Sequence, residues 1–443
     1  MRRIYEKRAY GQKPDRGNYW RTTVESPTTT DPVAEGDISC DVAIIGAGFT
    51  GLNAAIELAD AGVDVAVFDA EYVAWGASGR NGGFCCLGGE KLGQRALIRR
   101  YGSNQTAMYR TAQRASIDLV AKNIDDFGLE VDRHSEGETQ LAHRPSDSTG
   151  FKADAEEIQA VYGVQPTILG KSELADHGLA GPEFHGAITV PIGFALNPLK
   201  YAVGLARAAR EKGVRIFAGS PITDIRHEGR WTLISPSARI RSAKLIVATN
   251  GYSSDDLPAW YSNRYLPVQS NVMVTRPLHE DELRAQGFSS HQMCYDSRTL
   301  LHYFRLMPDN RFLFGLRGSV SASGLAARAV EQRLRSNFSR MFPHWAGVEA
   351  SNFWTGLACL SRSRVPFAGP LGDLPDAWGA MAYHGNGVAM GSYCGKLTAD
   401  MALGQSTRPH PDFMRQAPRK FELGRFRRAQ LRIAYMAYKV MDK

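Results

Sequence analysis

The stretch Asp41-Val-Ala-Ile-Ile-Gly-Ala-Gly-Phe-Thr-Gly-Leu-Asn-Ala-Ala-Ile-Glu-Leu-Ala59 decides the fold. Its β-branched run Val42 to Ile45 reads as a strand, and Leu52, Ala55, Ile56 and Ala59 recur at helical spacing beyond the turn Gly46-x-Gly48-x-x-Gly51. Gly46 permits the turn, Gly48 leaves backbone bare for a pyrophosphate, and Gly51 lets the helix lie close to the strand. Ala47, Phe49 and Thr50 complete the loop, where free N–H groups and the helix dipole favour a phosphate. Gly62-Val-Asp-Val-Ala-Val-Phe-Asp69 adds a turn and a second strand. Asp69, followed by Ala70, stands about eighteen residues past Gly51, where a carboxylate can accept from both ribose hydroxyls. The unit reads as a dinucleotide site and leaves NAD and FAD open.

A chain of 443 residues is too long for one compact core and implies two domains, or one with a large insertion. Hydrophobic content of 43% and charged content of 22% are ordinary for a globular protein. No apolar run reaches the roughly eighteen residues of a membrane span, and the charged start has no apolar stretch behind it, so a cytoplasmic protein is expected. The cysteines Cys40, Cys85, Cys86, Cys294, Cys359 and Cys394 include no Cys-x-x-Cys pair and no histidines at metal-site spacing, which points to buried thiols and no metal. The net charge of +8 is uneven: Arg415 to Lys443 holds nine Lys or Arg against two acids. No aromatic-interleaved basic patch argues for nucleic acid.

Residues 1–37 read as a polar, irregular lead-in, with Gly and Pro at 11–17 and 26–32 and with Tyr19 and Trp20 available to anchor it. Trp75 to Gly83 is too dense in glycine for a helix and suits a loop beside a flat ligand, which makes Gly76, Ala77, Ser78, Arg80, Asn81, Gly82 and Gly83 candidate contacts. A helical pattern runs from about 92 to 130, and short strands follow near Gln140, Thr167 and Ala187. A second helix-then-strand unit spans Asn197 to Ile225, with Ile222 a candidate contact. The buried strand ending at Val247 places Thr249, Asn250 and Gly251 beyond a carboxyl end, where ligands of open α/β sheets lie. Strands are expected at Val272–Thr275, Leu300–Arg305 and Arg311–Gly315, the last two joined by a Pro-Asp-Asn turn, with a helix from Ala326 to Met341.

Asp41–Gly51 with Asp69, the loop Trp75-Gly-Ala-Ser-Gly-Arg-Asn-Gly-Gly83, Trp354-x-Gly356 with Pro366 and Gly369, and His384-Gly-Asn-Gly-Val-Ala-Met390 form a set. Together with Gly193-Phe-Ala-Leu-Asn-Pro and Val247-Ala-Thr-Asn-Gly-Tyr they cover about residues 38 to 405. The set resembles the D-amino-acid-oxidase superfamily of FAD-dependent oxidoreductases, and within it the branch of γ-glutamylputrescine oxidoreductases and pipecolate oxidases. The resemblance implies an α/β fold, α+β overall, with a Rossmann-like FAD-binding domain from 38–90, 195–265 and 350–405. An antiparallel-sheet substrate domain would be inserted from 91–194 and 266–349, and 406–443 would form a basic helical segment. It implies FAD rather than NAD, with Gly356, Gly385, Asn386, Gly387 and Val388 near the flavin ring. The turn before a small-residue helix at Ser392 to Leu403 agrees, because a helix N-terminus stabilises charge on the reduced ring. Ser361 and Ser363 replace the family's Thr and Asp, with Arg362 and Arg364 interleaved, so a carboxylate is lost. Some relatives attach flavin through a cysteine, a position that falls near Gly356 rather than Cys359, so non-covalent FAD is expected.

Amine oxidation needs the C–H bond placed over the flavin, a neutral nitrogen and exclusion of water, so placement and desolvation matter more than a strong base. The catalytic candidates are His302, Tyr303, Arg80, Tyr252 and His384, followed by Tyr295, Arg298 and Arg317. Alternation along a strand lets only one of His302 and Tyr303 face the ring. The expected reaction takes a small-molecule amine or amino acid to an imine that water hydrolyses, with electrons passing to O2, a quinone or another acceptor. The competing readings are a flavin dehydrogenase of a 2-hydroxy acid and a flavin-binding subunit without turnover, which Ser361 and Ser363 keep open. In the tail, Phe421, Phe426, Ile433, Ala437 and Val440 give an apolar seam on a basic helix, expected to pack on the body, with peripheral membrane contact as the alternative.

Overall fold

The computed structural model describes residues 1–11, 15, 17–25 and 31–442; the irregular segments expected at 12–14, 16 and 26–30 lie outside the described residues. The strand Gly36–Ile45 is central in the first sheet, with Val65–Phe68 and Ala238–Val247 running parallel on its two sides. Arg215–Phe217 extends the sheet beyond Val65–Phe68, and Ala377–Met381 then Phe367–Pro370 extend it beyond Ala238–Val247. The hairpin Asp224–His227 and Trp231–Ile234 attaches to Ala238–Val247. Both faces of the central strand are covered, as a parallel sheet requires: Val42 and Ile44 pack in one apolar cluster, Ala43 and Ile45 in another. This is why the run is continuously apolar.

Helix Phe49–Asp60 covers one face, and helix Ala389–Leu403 packs on it through small residues. A Cβ at Gly395 would sit 2.3 Å from the Thr50 carbonyl oxygen, so any other residue would force the helices apart. A buried polar cluster ties in more helices: Asn123 of Ser103–Asp126 donates to Asn53 at 2.8 Å and to the Tyr201 hydroxyl of Pro198–Glu211 at 3.0 Å. The helical pattern at 92–130 is two helices, Gln94–Tyr101 and Ser103–Asp126, because Gly102 adopts φ of 83° between them.

The second sheet has eight strands in the order Asn352–Ser361, Tyr265–Pro277, Arg311–Arg317, His302–Leu306, Met293–Asp296, Glu138–Leu141, Gly186–Val190 and Thr167–Gly170. All neighbours are antiparallel except Met293–Asp296 with Glu138–Leu141. Asn352–Ser361, grouped from sequence with the nucleotide-binding segments, hydrogen-bonds along its length to Tyr265–Pro277 in this sheet. One face carries an aromatic core, in which Phe304, Phe312 and Phe314 meet Phe338, Phe342 and Trp345. Strand alternation turns Tyr303, Gly315 and Arg317 to the opposite face.

The chain's two ends also pack on the body. Tyr5, Tyr10 and Trp20 are buried, so aromatic side chains anchor the described parts of the lead-in to the body. The terminal helix Arg428–Met441 docks through Leu431 and Tyr435 against Leu266 and Val268. The expected apolar seam is corrected: only Phe421 points inward, whereas Phe426, Ile433 and Val440 are 62%, 66% and 71% exposed. Among the described residues no helix is long and apolar enough to cross a membrane.

Arg427 anchors this end. It is fully buried, its guanidinium donates to both Asp255 oxygens at 2.6 and 3.0 Å and to the Tyr265 carbonyl at 2.6 Å, and it lies over the Tyr265 ring. Removing one partner of a buried ion pair leaves the other charge uncompensated. Arg427→Ala is therefore expected to lower unfolding free energy by about 3–5 kcal/mol in denaturant titration; a loss within experimental error would show the anchor to be dispensable.

Candidate active site

A cavity of about 470 Å³ opens at the carboxyl ends of the parallel strands and is lined from both sheets. It joins the two glycine turns, from Gly46 and Gly48 at one end to Gly385, Asn386 and Gly387 at the other. Of the residues singled out from sequence, Phe49, Thr50, Asp69, Ala70, Gly76, Ala77, Ser78, Asn81, Ile222, Thr249 and Asn250 line the cavity. Asp69 is held rigidly, one carboxylate oxygen accepting from the Ala47 N–H at 2.8 Å and the other from the Glu71 N–H at 3.0 Å. Its burial pushes its pKa up.

Five candidates support this wall without lining it. A Cβ at Gly51 would lie 1.9 Å from the Gly46 carbonyl oxygen, so glycine is required for the helix to start against the strand end. Gly251 lies close to the Leu357 carbonyl, and Gly83, at φ of +75°, lies close to that of Leu196. Ala47 contributes its N–H to Asp69, and Val388 is buried at the start of helix Ala389–Leu403.

Arg80 is buried rather than solvated. Its Nε is 3.3 Å from Asp15 and its guanidinium lies 4.2 Å from the Trp75 ring centre, while Nη2 has no hydrogen-bond partner among the described residues. At the other end Asn386 donates to the Cys86 carbonyl at 2.6 Å and leaves its Oδ1 buried and unpartnered. Buried polar groups are normally satisfied. One such orphan toward each end of a cavity that joins two glycine turns, whose bare backbone leaves room for a ligand, fits a bound dinucleotide.

Tyr303 faces the cavity and His302 does not. A Cβ at Gly82 would lie 2.8 Å from the Tyr303 ring and one at Gly315 2.1 Å from it, so the ring is clamped where two side chains are missing. The Tyr303 hydroxyl bonds Ser270 at 2.9 Å. His302 is a correction: the strand turns it into the core, stacked on Phe314, with Nδ1 2.7 Å from Asp296 and Nε2 2.9 Å from Asn337. Arg298 is likewise away from the cavity, paired with Asp296 and Glu183. Tyr252 lines the wall beside Trp75, with the Leu357 N–H donating to its hydroxyl at 3.3 Å.

His384 lines the cavity but both ring nitrogens are engaged. Nδ1 is 2.9 Å from the Gly89 carbonyl and so carries the hydrogen, and Nε2 accepts from the Ser361 N–H at 3.1 Å. Burial brings its pKa down to about 3, leaving a neutral clamp between two loops. Gly356 and Cys359 also line the wall.

Arg317 enters with Tyr295, its Nη2 3.2 Å from where a Gly385 Cβ would stand. Sequence reading missed Lys91, Glu138, Cys86 and Ser270, which complete this end. Lys91 keeps exposed surface on the cavity lining, and partial desolvation with Arg317 as a second cation nearby brings its pKa down to about 8. None of the four sits in a motif, and only the three-dimensional register brings them together.

The model of the DAO family, FAD dependent oxidoreductases, matches residues 41–401. The chain is 30% identical over 431 residues to a probable oxidoreductase OrdL of Rhizobium meliloti (strain 1021), covering 96% of this chain and 97% of that protein. It is 28% identical over 391 residues to the γ-glutamylputrescine oxidoreductase of Escherichia coli (strain K12), covering 88% and 90%. Among solved structures it is similar to glycine oxidase from Geobacillus kaustophilus, with a TM-score of 0.70 at 18% identity, covering 85% of this chain and 98% of that one. The matched span contains both glycine turns and most of the cavity lining, and the chain belongs to the DAO family of FAD-dependent oxidoreductases.

Proposed function

We propose that this FAD-dependent oxidoreductase oxidises the C–N bond of an amine or amino acid whose carboxylate is drawn to Arg317 and Lys91. The observation that carries the reading is the placement of these two cations on the cavity wall beside Gly385, at the end opposite Gly46 and Gly48. Bound FAD supplies a two-electron acceptor for the C–H bond next to nitrogen. Gly46, Gly48 and the start of helix Phe49–Asp60 would hold its pyrophosphate, Asp69 its ribose, and Gly385 to Gly387 with helix Ala389–Leu403 its ring. Arg80, on the same lining and held by Asp15 and Trp75, would add a cation to that wall.

At the reacting end the chain's own work is orientation and exclusion of water. Arg317, fixed by its contact with the His384 carbonyl, and Lys91 orient the carboxylate, and the Tyr303 and Phe84 rings wall off solvent. Burial keeps the Tyr303 phenol protonated, so it donates hydrogen bonds. The imine leaves for hydrolysis, and the electrons go on to O2 or a quinone.

Anaerobic bleaching of the bound flavin by a panel of amines, amino acids and 2-hydroxy acids tests the reading. Bleaching by amines or amino acids is expected; bleaching by hydroxy acids alone, or by nothing, would overturn it. Arg317→Met should raise KM for a carboxylate-bearing substrate at least about tenfold, a loss of ~1.4 kcal/mol, with a smaller effect on simple amines. A Cβ at Gly48 would meet Ser78 Oγ at 2.7 Å, so Gly48→Val should yield a folded, colourless apoprotein. Non-covalent attachment predicts that acid precipitation of the wild type leaves all the FAD in the supernatant.

A cytoplasmic protein with a peripheral membrane contact fits the outer face of Arg428–Met441 and the turn before it, where Phe426, Ile433, Met436 and Val440 are exposed along with Arg425 and Arg432. Co-sedimentation with vesicles containing anionic lipid, abolished by Ile433→Asp with Val440→Asp, is the expected result.

A further inference from the structure

Glu138 opens the strand Glu138–Leu141 in the middle of the second sheet. Its neighbours fix which way it points. Thr139 is buried against Thr189, their hydroxyls 2.8 Å apart, and Leu141 belongs to the aromatic core. Alternation therefore turns Glu138 to the cavity face, which it shares with Tyr295 and Tyr303. Glu138 lines the cavity together with Cys86 and Arg317. It keeps partial solvent-accessible surface although it is deep within the protein, so the accessible part opens inward, to the cavity.

What sets it apart is the missing partner. Other buried carboxylates are compensated: Asp255 by Arg427, Asp296 by Arg298 and His302, and Asp69 by two backbone N–H groups. Among the described residues no ion pair includes Glu138, and its side-chain hydrogen-bond neighbour is the Cys86 thiol, a weak donor. A buried carboxylate without a cation is costly unless something pairs with it. At this end of the cavity Glu138 stands with the cations Arg317 and Lys91, and the other carboxylate there, Glu90, is paired with Arg110 at 2.8 Å.

Resting on the reading of the site as an amine or amino-acid oxidase, we propose that Glu138 is the residue that recognises an ammonium group of the substrate. A dipolar substrate then lies between Glu138 and the Arg317 and Lys91 pair, and a neutral molecule of the same size is disfavoured because it leaves the desolvated carboxylate unpaired.

The arrangement carries a pH dependence. Burial pushes the Glu138 carboxyl up to about 7. The titratable groups facing it are Cys86, Tyr295 and Tyr162, each kept neutral by a raised pKa, with Lys91 near Cys86. Below about 7 Glu138 is protonated and has no charge to offer, so ammonium affinity falls with falling pH.

The test uses the full FAD-loaded chain and follows flavin absorbance. The probes are tert-butylammonium, which has no C–H next to nitrogen and cannot be oxidised, pivalate and neutral tert-butanol. The wild type should bind tert-butylammonium at least tenfold more tightly than tert-butanol, and more tightly at pH 8 than at pH 6. Glu138→Gln should lose that preference and its pH dependence while keeping pivalate affinity within twofold, and Glu138→Asp should retain part of the preference. Unchanged ammonium affinity in Glu138→Gln, an equal loss of pivalate, or no preference in the wild type would overturn the assignment. If amines still bleach the wild-type flavin in that case, only the role of Glu138 fails; if they do not, the oxidase reading fails with it.

Discussion

A strand must present successive side chains to opposite faces, and in the second sheet the whole site depends on that constraint. One face is filled by phenylalanines and Trp345, which leaves no freedom to slip the register by a residue without exposing the core. The other face is thereby committed. Tyr303, Arg317, Ser270 and Glu138 reach the cavity because Phe304, Phe314 and Leu141 are required elsewhere. The apolar core and the polar site are two readings of one alternation.

The same logic explains which features were legible from sequence. The turn at Gly46–Gly51 could be read directly because its glycines meet local demands, such as the 1.9 Å approach that a Cβ at Gly51 would make to the Gly46 carbonyl. The parity of His302 and Tyr303 was legible as an exclusive choice, but which one faces the cavity depends on where Phe314 packs. Glu138, Lys91 and Ser270 were not legible at all. They come from separate segments and meet through strand pairing and loop packing, for which a single sequence carries no local signal. The terminal helix misled for a different reason: it has two apolar stripes, and the stripe that docks, Leu431 with Tyr435, is less conspicuous than the exposed one.

Charge is managed differently in the two halves of the cavity. Around the first glycine turn, backbone N–H groups and helix dipole supply positive potential without a titratable group, and Arg80 is locked between Asp15 and Trp75. At the far end the potential comes from side chains that can change state, with Lys91 near 8 and Glu138 near 7. His384, which on composition alone would be the natural acid or base, is held neutral and fully hydrogen-bonded. A buried histidine that links Gly89 to Ser361 contributes geometry, and its proton is not available for exchange.

The lining of one cavity draws on Tyr10, on Gly46 and on Gly387, and Glu6 near the start of the chain pairs with Arg428 of the terminal helix at 3.0 Å. Such contacts join segments separated by most of the chain, and they form only after long loops have closed. A ribosome delivering this polypeptide from its N-terminus exposes the first glycine turn long before the second exists. The nascent βαβ unit must wait without its partner wall, and a complete cofactor site exists only when the last strands and helix Ala389–Leu403 have been released and docked. Cofactor capture is then a late event in biogenesis, and a shortage of the cofactor would be felt as slow maturation of finished chains.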